Sequence, residues 1–218
     1  MKIIEANVEL MRDFDGAEVM KFIELCGRVC YKSEDNITDD SAEKFVRNII
    51  KRGHESVLEH FSVTFKIICD RGISHEIVRH RIASYSQEST RFCNYSTSKF
   101  GNELTFIKPC FWNIEFECSD EDELQDSKNT QIWYDTMATA EKRYEYLIRN
   151  GMSPQEARSI LPNSLKTEIV MTANLREWRH FLKLRTDKVA HPQMRQIALM
   201  LLHILKEKLP VIFEDIGE

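Results

Sequence analysis

The sequence lacks the segments that would export the protein or hold it in a membrane. No run approaches the ~20 apolar residues that a spanning helix needs, and no basic start is followed by a long apolar core. We therefore expect a cytoplasmic protein. Glycine and proline are scarce, at 7 and 5 of 218 residues, and no stretch rich in them divides the chain. We expect a single domain that spans residues 1–218.

Several nucleotide-binding and catalytic motifs are also absent. The sequence has no GxGxxG and no GxxxxGK[ST] loop, which excludes the usual dinucleotide-binding and P-loop architectures. It has no GxSxG motif, so a hydrolase triad built on a serine elbow is disfavoured. Any nucleotide must then be bound mainly by side chains.

The six cysteines show no CxxC pair and no paired Cys/His spacing of the zinc type. We expect them to be reduced thiols. Cys26 and Cys30 lie one helical turn apart in an apolar pattern, which favours small buried hydrophobic residues over a redox pair. The cysteines therefore point to no chemistry.

The formal net charge of −5 argues against a protein that coats nucleic acid through its overall field. A local basic pocket is still compatible with this charge. The acidic segment 113–129 is poor in large apolar side chains and is interpreted as a surface excursion or the start of a helix.

Hydrophobic periodicity predicts an α+β fold, with a mainly antiparallel sheet and flanking helices, rather than a doubly wound parallel sheet. Residues 61–69 alternate as a strand with one buried face, and Leu165, Thr167, Ile169 and Met171 share one face of a second long strand. A short helix is predicted after Ile73, with Ser74 as its cap. Longer helices are predicted over 17–31, from 38–41 to 51, from 133 to about 150, over 174–185 and from 194 to 205.

The first polar cluster is RHRIASYSQESTRF, residues 79–92. Three arginines, a histidine and several serines offer guanidinium forks and hydroxyl groups, which suit a phosphate. If Arg79, His80 and Arg81 end a helix, they cannot all face outward comfortably. The alternative is a solvated basic surface paired with Glu76 and Glu88.

The second cluster is HESVLEH, residues 54–60, directly before the 61–69 strand. Its histidines are six residues apart, so they do not share a helical face as in HExxH, and no metal site is expected. A hydrogen-bonded turn that leads into the strand is the simpler interpretation.

The third cluster is NLREWRHFLKLR, residues 174–185. Trp178, Phe181 and Leu182 form an apolar stripe, and Arg185 lies on the same stripe, so its charge is predicted to point toward the core. Arg176 and His180 share a different face and could contact one ligand. The alternative for Arg185 is a charge that snorkels or complements the helix dipole.

These clusters resemble the motifs of one family, the flavin-dependent thymidylate synthases. The family signature is RHR, seven residues and a serine, which matches Arg79-His80-Arg81, IASYSQE and Ser89. HESVLEH and NLREWRHFLKLR are similar to a family segment one strand earlier and to its late arginine-bearing helix. Segment 113–129 matches no family feature.

The resemblance implies an α+β enzyme that makes dTMP from dUMP. It implies methylenetetrahydrofolate as carbon donor, FAD as hydride carrier, NADPH as reductant, no metal and no cysteine nucleophile. It also implies a homotetramer whose active sites draw on several subunits. Neither nucleic acid nor membrane is an expected partner. A non-catalytic nucleotide- or RNA-binding module that uses the same arginines is the alternative.

The resemblance also implies site residues, transferred position by position. The residues expected at FAD are Ser56, Arg79, His80, Arg81, Gln87, Asn174, Arg176 and His180. The residues expected around dUMP are Glu76, Arg79, Gln87, Glu88, Ser89, Arg91, Arg158 and Arg185. Catalytic roles are expected for Arg185, Ser89 and His54.

These expectations have a physical basis. A cation at Arg185 would stabilise negative charge that develops on the uracil ring as it accepts hydride. Ser89 and Arg91 would face the same side of an extended or looped segment and hold the dUMP phosphate, while the RHR triplet would hold the flavin phosphates. Ser89 is expected to bind rather than to attack. His54 is expected to order folate or flavin.

Overall fold

The computed structural model of the protein describes residues 1–111 and 124–217. The helices are α1 Gly16–Arg28, α2 Ser41–Lys51, α3 Arg71–Ile77, α4 Leu124–Arg149, α5 Pro154–Ala157, α6 Leu175–Arg185, α7 Pro192–Lys208 and α8 Pro210–Phe213. The strands are β1 Lys2–Ile4, β2 Asn7–Leu10, β3 Ser62–Asp70, β4 Ala83–Gln87, β5 Thr105–Ile107 and β6 Lys166–Asn174.

The strands form two sheets. The larger sheet has the order β2-β3-β6-β4, and the fold is the expected mainly antiparallel sheet with flanking helices. The smaller sheet pairs β1 with β5 in parallel, with Lys2 opposite Thr105 and Ile4 opposite Ile107. The α+β prediction is therefore confirmed, and the parallel pair adds a feature that strand periodicity does not specify.

The chain folds into two compact units, and the expected single domain stays a prediction. Unit 1 comprises Met1–Ala6, Ile68–Ile77 and Gln87–Ile169, and unit 2 comprises Asn7–Ile67, Val78–Ser86 and Val170–Glu218. Strands β3 and β6 each contribute residues to both units. The division therefore falls inside continuous strands rather than at a linker.

The core of unit 1 is formed by side chains from the segment between β4 and β5, from β5 and from helices α4 and α5. Ser153 and Glu156 form a capping box that starts α5. The buried cluster consists of Tyr95, Leu104, Phe106, Met137, Tyr144, Ala157 and Leu165.

The core of unit 2 is centred on α6. Trp178, Phe181 and Leu182 are fully buried, which confirms the predicted apolar stripe. The indole of Trp178 donates to the Val63 carbonyl over 3.0 Å and its ring meets that of Phe65 edge to face at 5.3 Å. Burial of each of these side chains contributes on the order of 2 kcal/mol, so α6 is fixed firmly against β3.

Helix α3 differs from the prediction at both ends. It begins at Arg71, where the Asp70 carboxylate accepts from the Ile73 amide over 2.7 Å. Ser74 lies inside the helix and donates to the Arg71 carbonyl, so its predicted role as the cap is wrong. The helix ends at Ile77, and the RHR triplet consequently lies in the connection to β4.

The cysteine and acidic-segment predictions have mixed outcomes. Cys26, Cys30, Cys69, Cys93 and Cys110 have free thiols. Cys30 is exposed, so the expectation that it is buried is wrong, whereas Cys26 is half-buried. Residues 113–123 and Cys118 lie outside the described residues, and Leu124 begins α4. No helix in the described part of the chain is long and apolar enough to cross a membrane.

Candidate active site

Helix α6 and its N-cap residue carry four of the predicted site residues in unit 2, namely Asn174, Arg176, His180 and Arg185. Asn174 caps the helix, because its side-chain oxygen accepts from the Glu177 amide over 2.9 Å. Arg176 and His180 are exposed and, together with Asn174, line a cavity of about 560 Å³. The prediction that Arg176 and His180 share a face is therefore confirmed. Glutamates also line this cavity, and one of them, Glu59, pairs with Arg176 at 2.6 Å.

The RHR triplet of unit 2 points in two directions. Arg79 and Arg81 are exposed, whereas His80 is buried. The hydroxyl of Tyr85 donates to the His80 carbonyl over 2.6 Å and fixes the backbone at this position. The triplet thus presents two guanidinium groups outward and one imidazole inward, as the crowding of three polar side chains requires.

The imidazole of His80 connects two residues of α6. Its Nδ1 lies 3.3 Å from Oε1 of Glu177, which is also buried, and its Nε2 accepts from Nε of Arg185 over 3.1 Å. Burial lowers the pKa of His80 to about 4, and electrostatic interactions with Arg185 and His180 contribute to this shift. The ring is therefore neutral at neutral pH, and its contact with Glu177 is a hydrogen bond rather than an ion pair.

Arg185 is half-buried, which confirms that the helix turns it toward the interior. Burial raises the pKa of Glu177, and His180 opposes this rise. Ligand atoms of His80, Glu177 and His180 lie within 4.8 Å of one another, a spacing that could hold a metal ion. The Arg185 guanidinium on Nε2 of His80 disfavours a cation there, because it takes up one ligand atom and adds positive charge.

A third arginine of α6, Arg179, was not identified from the sequence as a residue of interest. Arg179 is 1% exposed and its guanidinium donates to both carboxylate oxygens of Asp215, at 2.6 and 2.7 Å, to Glu55 at 3.1 Å and to the Ile212 carbonyl. Such a bidentate pair is strong when desolvated. The sequence does contain a signal for its burial. Arg179 lies four residues after Leu175 and three before Leu182, so it shares a helical face with these two buried leucines.

HESVLEH forms a 3₁₀ helix, Glu55–His60, in unit 2. Its two carboxylates pair with α6, Glu55 with Arg179 and Glu59 with Arg176. The prediction of a hydrogen-bonded turn before β3 is confirmed.

His54 and Ser56 lie in a different cavity of unit 2 from Asn174, Arg176 and His180. This cavity has a volume of about 510 Å³, and both residues are exposed in it. Arg28, Tyr31 and Arg52 are among its other lining residues. A single chain therefore does not gather the predicted FAD residues around one cavity.

Unit 1 contains most of the residues predicted around dUMP. Gln87 donates to Ser74 over 2.9 Å and to Thr167 over 3.2 Å. Glu88 accepts from the Tyr95 hydroxyl over 2.8 Å and from Lys166 over 3.0 Å. Both side chains are thus held in fixed positions at the end of β4.

Ser89 and Arg91 follow β4 in a turn, because the amides of Phe92 and Cys93 donate to the Ser89 carbonyl. Of the two conformations expected for this segment, extended or looped, it therefore takes the looped one. Ser89 is half-buried and its hydroxyl accepts from the Arg91 amide over 3.3 Å. The exposed Arg91 guanidinium lies 5.2 Å from the centre of the Phe92 ring.

Arg158 lines a cavity of about 440 Å³ in unit 1. It is exposed and donates to the Thr90 hydroxyl over 3.3 Å. Arg71, which the sequence did not single out, lines the same cavity and donates to the Glu88 carbonyl over 3.1 Å. Glu76 is half-buried in α3.

Comparison with a solved structure supports the fold. The UMP/dUMP methylase PolB from Streptomyces cacaoi, solved with 5-Br dUMP bound, superposes with a TM-score of 0.78 at 24% identity. The match covers 98% of this chain and 96% of that one. The two proteins share a fold.

Sequence comparisons are more specific. The family model described as "Thymidylate synthase complementing protein" matches residues 11–211. The flavin-dependent thymidylate synthase of Corynebacterium aurimucosum is 35% identical over 211 residues, which is 93% of this chain and 82% of that protein. The Geobacter sulfurreducens enzyme of the same name is 33% identical over 202 residues, 89% of this chain and 81% of its own. The chain belongs to the family of flavin-dependent thymidylate synthases.

Proposed function

We propose that the protein catalyses the reductive methylation of dUMP to dTMP, with methylenetetrahydrofolate as carbon donor, FAD as hydride carrier and NADPH as reductant. The observation that carries this proposal is the family match over residues 11–211, which spans every polar cluster described above. The geometry supports it, because each unit presents basic side chains on cavities or on its surface.

The residues of unit 2 suit the phosphates of FAD. Arg79 and Arg81 expose their guanidinium groups, and Arg176 and His180 line one cavity. Guanidinium forks donate pairs of hydrogen bonds to phosphate oxygens. Arg176 would exchange part of its pairing with Glu59 for a phosphate. FAD, when bound, supplies the hydride that reduces the pyrimidine.

The residues of unit 1 suit a nucleotide monophosphate. Arg91 and Arg158 are both exposed. The backbone amide of Arg91 donates to the Ser89 hydroxyl, and the Arg158 guanidinium donates to the Thr90 hydroxyl. We expect these groups to bind the dUMP phosphate, and Ser89 to act as a hydrogen-bonding residue. Gln87 and Glu88, both held by neighbouring side chains, would bind the rest of the nucleotide.

Arg185 is the residue expected to stabilise charge on the pyrimidine. Its Nε is held by the neutral imidazole of His80, so the guanidinium is oriented by the protein before substrate binds. A donor that is fixed in advance stabilises developing negative charge better than one that must reorient.

A cysteine nucleophile is disfavoured by the environment of two described thiols. Burial, with the charge of Asp70, raises the pKa of Cys69 to about 12. Burial also raises the pKa of Cys110. Because the thiolate is the nucleophilic form, these residues are unreactive at neutral pH. This supports a reaction in which hydride, rather than a cysteine adduct, activates the ring.

The protein is proposed to be a cytoplasmic homotetramer with shared active sites. The separation of His54 and Ser56 from the cavity of Arg176 and His180 supports sharing, because one FAD would then be bound by side chains from more than one copy. His54 would order FAD or folate at such a site. Sedimentation of the purified protein tests the assembly, and a stable, active monomer would contradict it.

Flavin spectroscopy with product analysis tests the function. We expect purified or FAD-reconstituted protein to absorb in the visible blue, to lose this absorbance with NADPH, and to regain it anaerobically when dUMP and methylenetetrahydrofolate are added, with formation of dTMP. Omission of dUMP is the control and should yield no dTMP. A protein that cannot be reconstituted with FAD, or that binds nucleotide or RNA without turnover, would support the non-catalytic alternative instead.

A further inference from the structure

The contacts of His80 define the protonation of its ring. The Arg185 side chain can only donate hydrogen bonds, so Nε2 of His80, 3.1 Å from Nε of Arg185, must accept. In a neutral imidazole the other nitrogen then carries the proton, and Nδ1 donates to Oε1 of Glu177 at 3.3 Å. The three side chains form one directed series from Arg185 through His80 to Glu177.

The surroundings keep this ring in place. His80 is 6% exposed and Glu177 is 7% exposed, so neither can replace its partner by bulk water. The ring packs against Phe181, with centroids 4.7 Å apart, and meets His180 edge to face at 5.9 Å. Burial and nearby positive charge also favour the neutral ring, whose pKa is lowered to about 4.

Glu177 determines which neutral tautomer this buried ring adopts. With the carboxylate present, a proton on Nδ1 has an acceptor. Without it, a proton on Nδ1 would be buried and unsatisfied, which is costly. Transfer of the proton to Nε2 would remove that cost, but would place an N–H group against the N–H of Arg185. The Arg185 Nε would then lose this acceptor, and the guanidinium would lose the constraint that His80 places on its orientation.

We infer that Glu177 is a positioning residue for substrate binding, because it selects the His80 tautomer that orients the Arg185 guanidinium. This inference rests on the proposed function, in which Arg185 contacts dUMP. Glu177 itself acts through His80 and is not expected to touch the reacting atoms. Any effect of Glu177 on dUMP binding should therefore depend on the tautomer of His80, which can be measured directly.

Histidine-selective ¹⁵N NMR on the full-length, substrate-free protein tests the tautomer. The His80 resonances are identified by their loss in His80→Gln. In the wild type we expect a protonated Nδ1 and an unprotonated Nε2. Glu177→Ala should shift the ring toward the Nε2-protonated form, and Glu177→Gln, which retains an acceptor oxygen, should restore the wild-type pattern.

Binding of dUMP, measured by calorimetry, tests the consequence. We expect Glu177→Ala to weaken dUMP binding about 10-fold, the effect of one lost hydrogen bond to a charged group, and Glu177→Gln to restore most of the affinity. Leu205→Ala, a truncation of a fully buried α7 residue, is the control for destabilisation alone. It should lower Tm while leaving the tautomer and dUMP affinity unchanged.

Three results would overturn the inference. These are a protonated Nε2 in the wild type, an unchanged tautomer in Glu177→Ala, and unchanged dUMP affinity in that variant. If Glu177→Ala fails to fold, Glu177→Leu fills the space without an acceptor and gives the same comparison. A protonated Nε2 in the wild type would overturn the inference without any variant. If Glu177→Ala changed the tautomer and weakened dUMP binding but the wild type formed no dTMP, the result would contradict the proposed function and support the inference.

Discussion

At the scale of single residues, the buried polar side chains of α6 are more informative than the exposed arginines. Arg79 and Arg81 face solvent, where a charge needs no partner. His80, Glu177 and Arg179 are buried and hydrogen-bonded to specific groups. Since burial of a polar group is costly without such partners, each of these contacts is a precise constraint on the site.

The first residue-scale prediction concerns Arg185. Arg185→Ala should retain the fold and bound FAD, but lower kcat/KM for dUMP about 100-fold, because a fixed cation at the pyrimidine is lost. Arg185→Lys should be intermediate, since an ammonium group keeps the charge but lacks the planar fork. Steady-state kinetics with FAD occupancy by absorbance measures both.

The matched control is Arg149→Ala, which removes the exposed arginine at the end of α4. Its activity should equal that of the wild type. Wild-type kcat/KM in Arg185→Ala would refute the assigned role.

The second residue-scale prediction is a pH dependence of stability that originates at His80. Its pKa is about 4 in the folded protein and about 6.5 in an unfolded chain. Between these values the unfolded state binds more protons, so stability falls as the pH drops from about 6.5 to about 4. The loss from this group is at most about 3 to 4 kcal/mol, since one pKa unit corresponds to ~1.4 kcal/mol.

Urea unfolding at neutral and mildly acidic pH measures this loss in the wild type and in His80→Gln. The glutamine retains a donor and an acceptor but does not titrate, so the loss on acidification should be smaller in the variant. The raised pKa of Glu177 acts in the opposite direction, which is why the difference between the two proteins is the relevant quantity. An equal or greater loss in His80→Gln would contradict the prediction.

At the scale of elements, α6 combines packing and binding because its faces differ. One face buries Trp178, Phe181 and Leu182, and the opposite face exposes Arg176 and His180 to a cavity. The rigid attachment to β3 therefore fixes the positions of the exposed side chains. A site placed on a packed helix is held more precisely than one on a loop.

The element-scale prediction separates the two roles of Asn174, which caps α6 and is expected at FAD. Asn174→Ala should lose about 1 kcal/mol of stability, because the Glu177 amide loses its acceptor. Asn174→Asp should keep the cap and the stability, yet weaken FAD binding through added negative charge near the phosphates. Thermal unfolding and flavin titration measure the two effects.

Asp15→Ala is the control, since Asp15 caps α1 by accepting from the Ala17 amide over 2.8 Å. It should lose similar stability and bind FAD as the wild type does. If Asn174→Asp bound FAD normally, Asn174 would be a cap without a binding role.

At the scale of the whole molecule, two compact units share two strands. β3 and β6 each run from one unit into the other, so neither unit contains a complete version of either strand. We propose that residues 1–218 form one cooperative domain, because separation of the units would require these strands to break internally.

The whole-molecule prediction follows for thermal unfolding. Calorimetry at fixed protein concentration should give one transition, with coincident loss of near-UV and far-UV circular dichroism. Two resolved transitions, or a limited proteolysis product that retains one unit folded, would contradict a single domain.

The secondary structure of α6, β3 and β6 could be predicted because it depends on local periodicity. Side chains repeat every two residues in Val63, Phe65 and Ile67, and at helical spacing in Trp178, Phe181 and Leu182, so the buried faces are encoded locally. The RHR triplet, the serine after it and the α6 arginines likewise identified the family from sequence alone, since their types and spacing are themselves the signal.

Tertiary structure decided which polar groups meet. Glu177 contacts His80 across 97 positions and Arg179 contacts Asp215 across 36, and no local pattern specifies such pairs. Asp70 rather than Ser74 caps α3 because the backbone leaves β3 in a position that presents the aspartate to the Ile73 amide. The sequence by itself determined the family and the faces of the elements. Only the fold decided the tautomer of His80 and the partners of the buried charges, because these depend on contacts between segments that are distant in the chain.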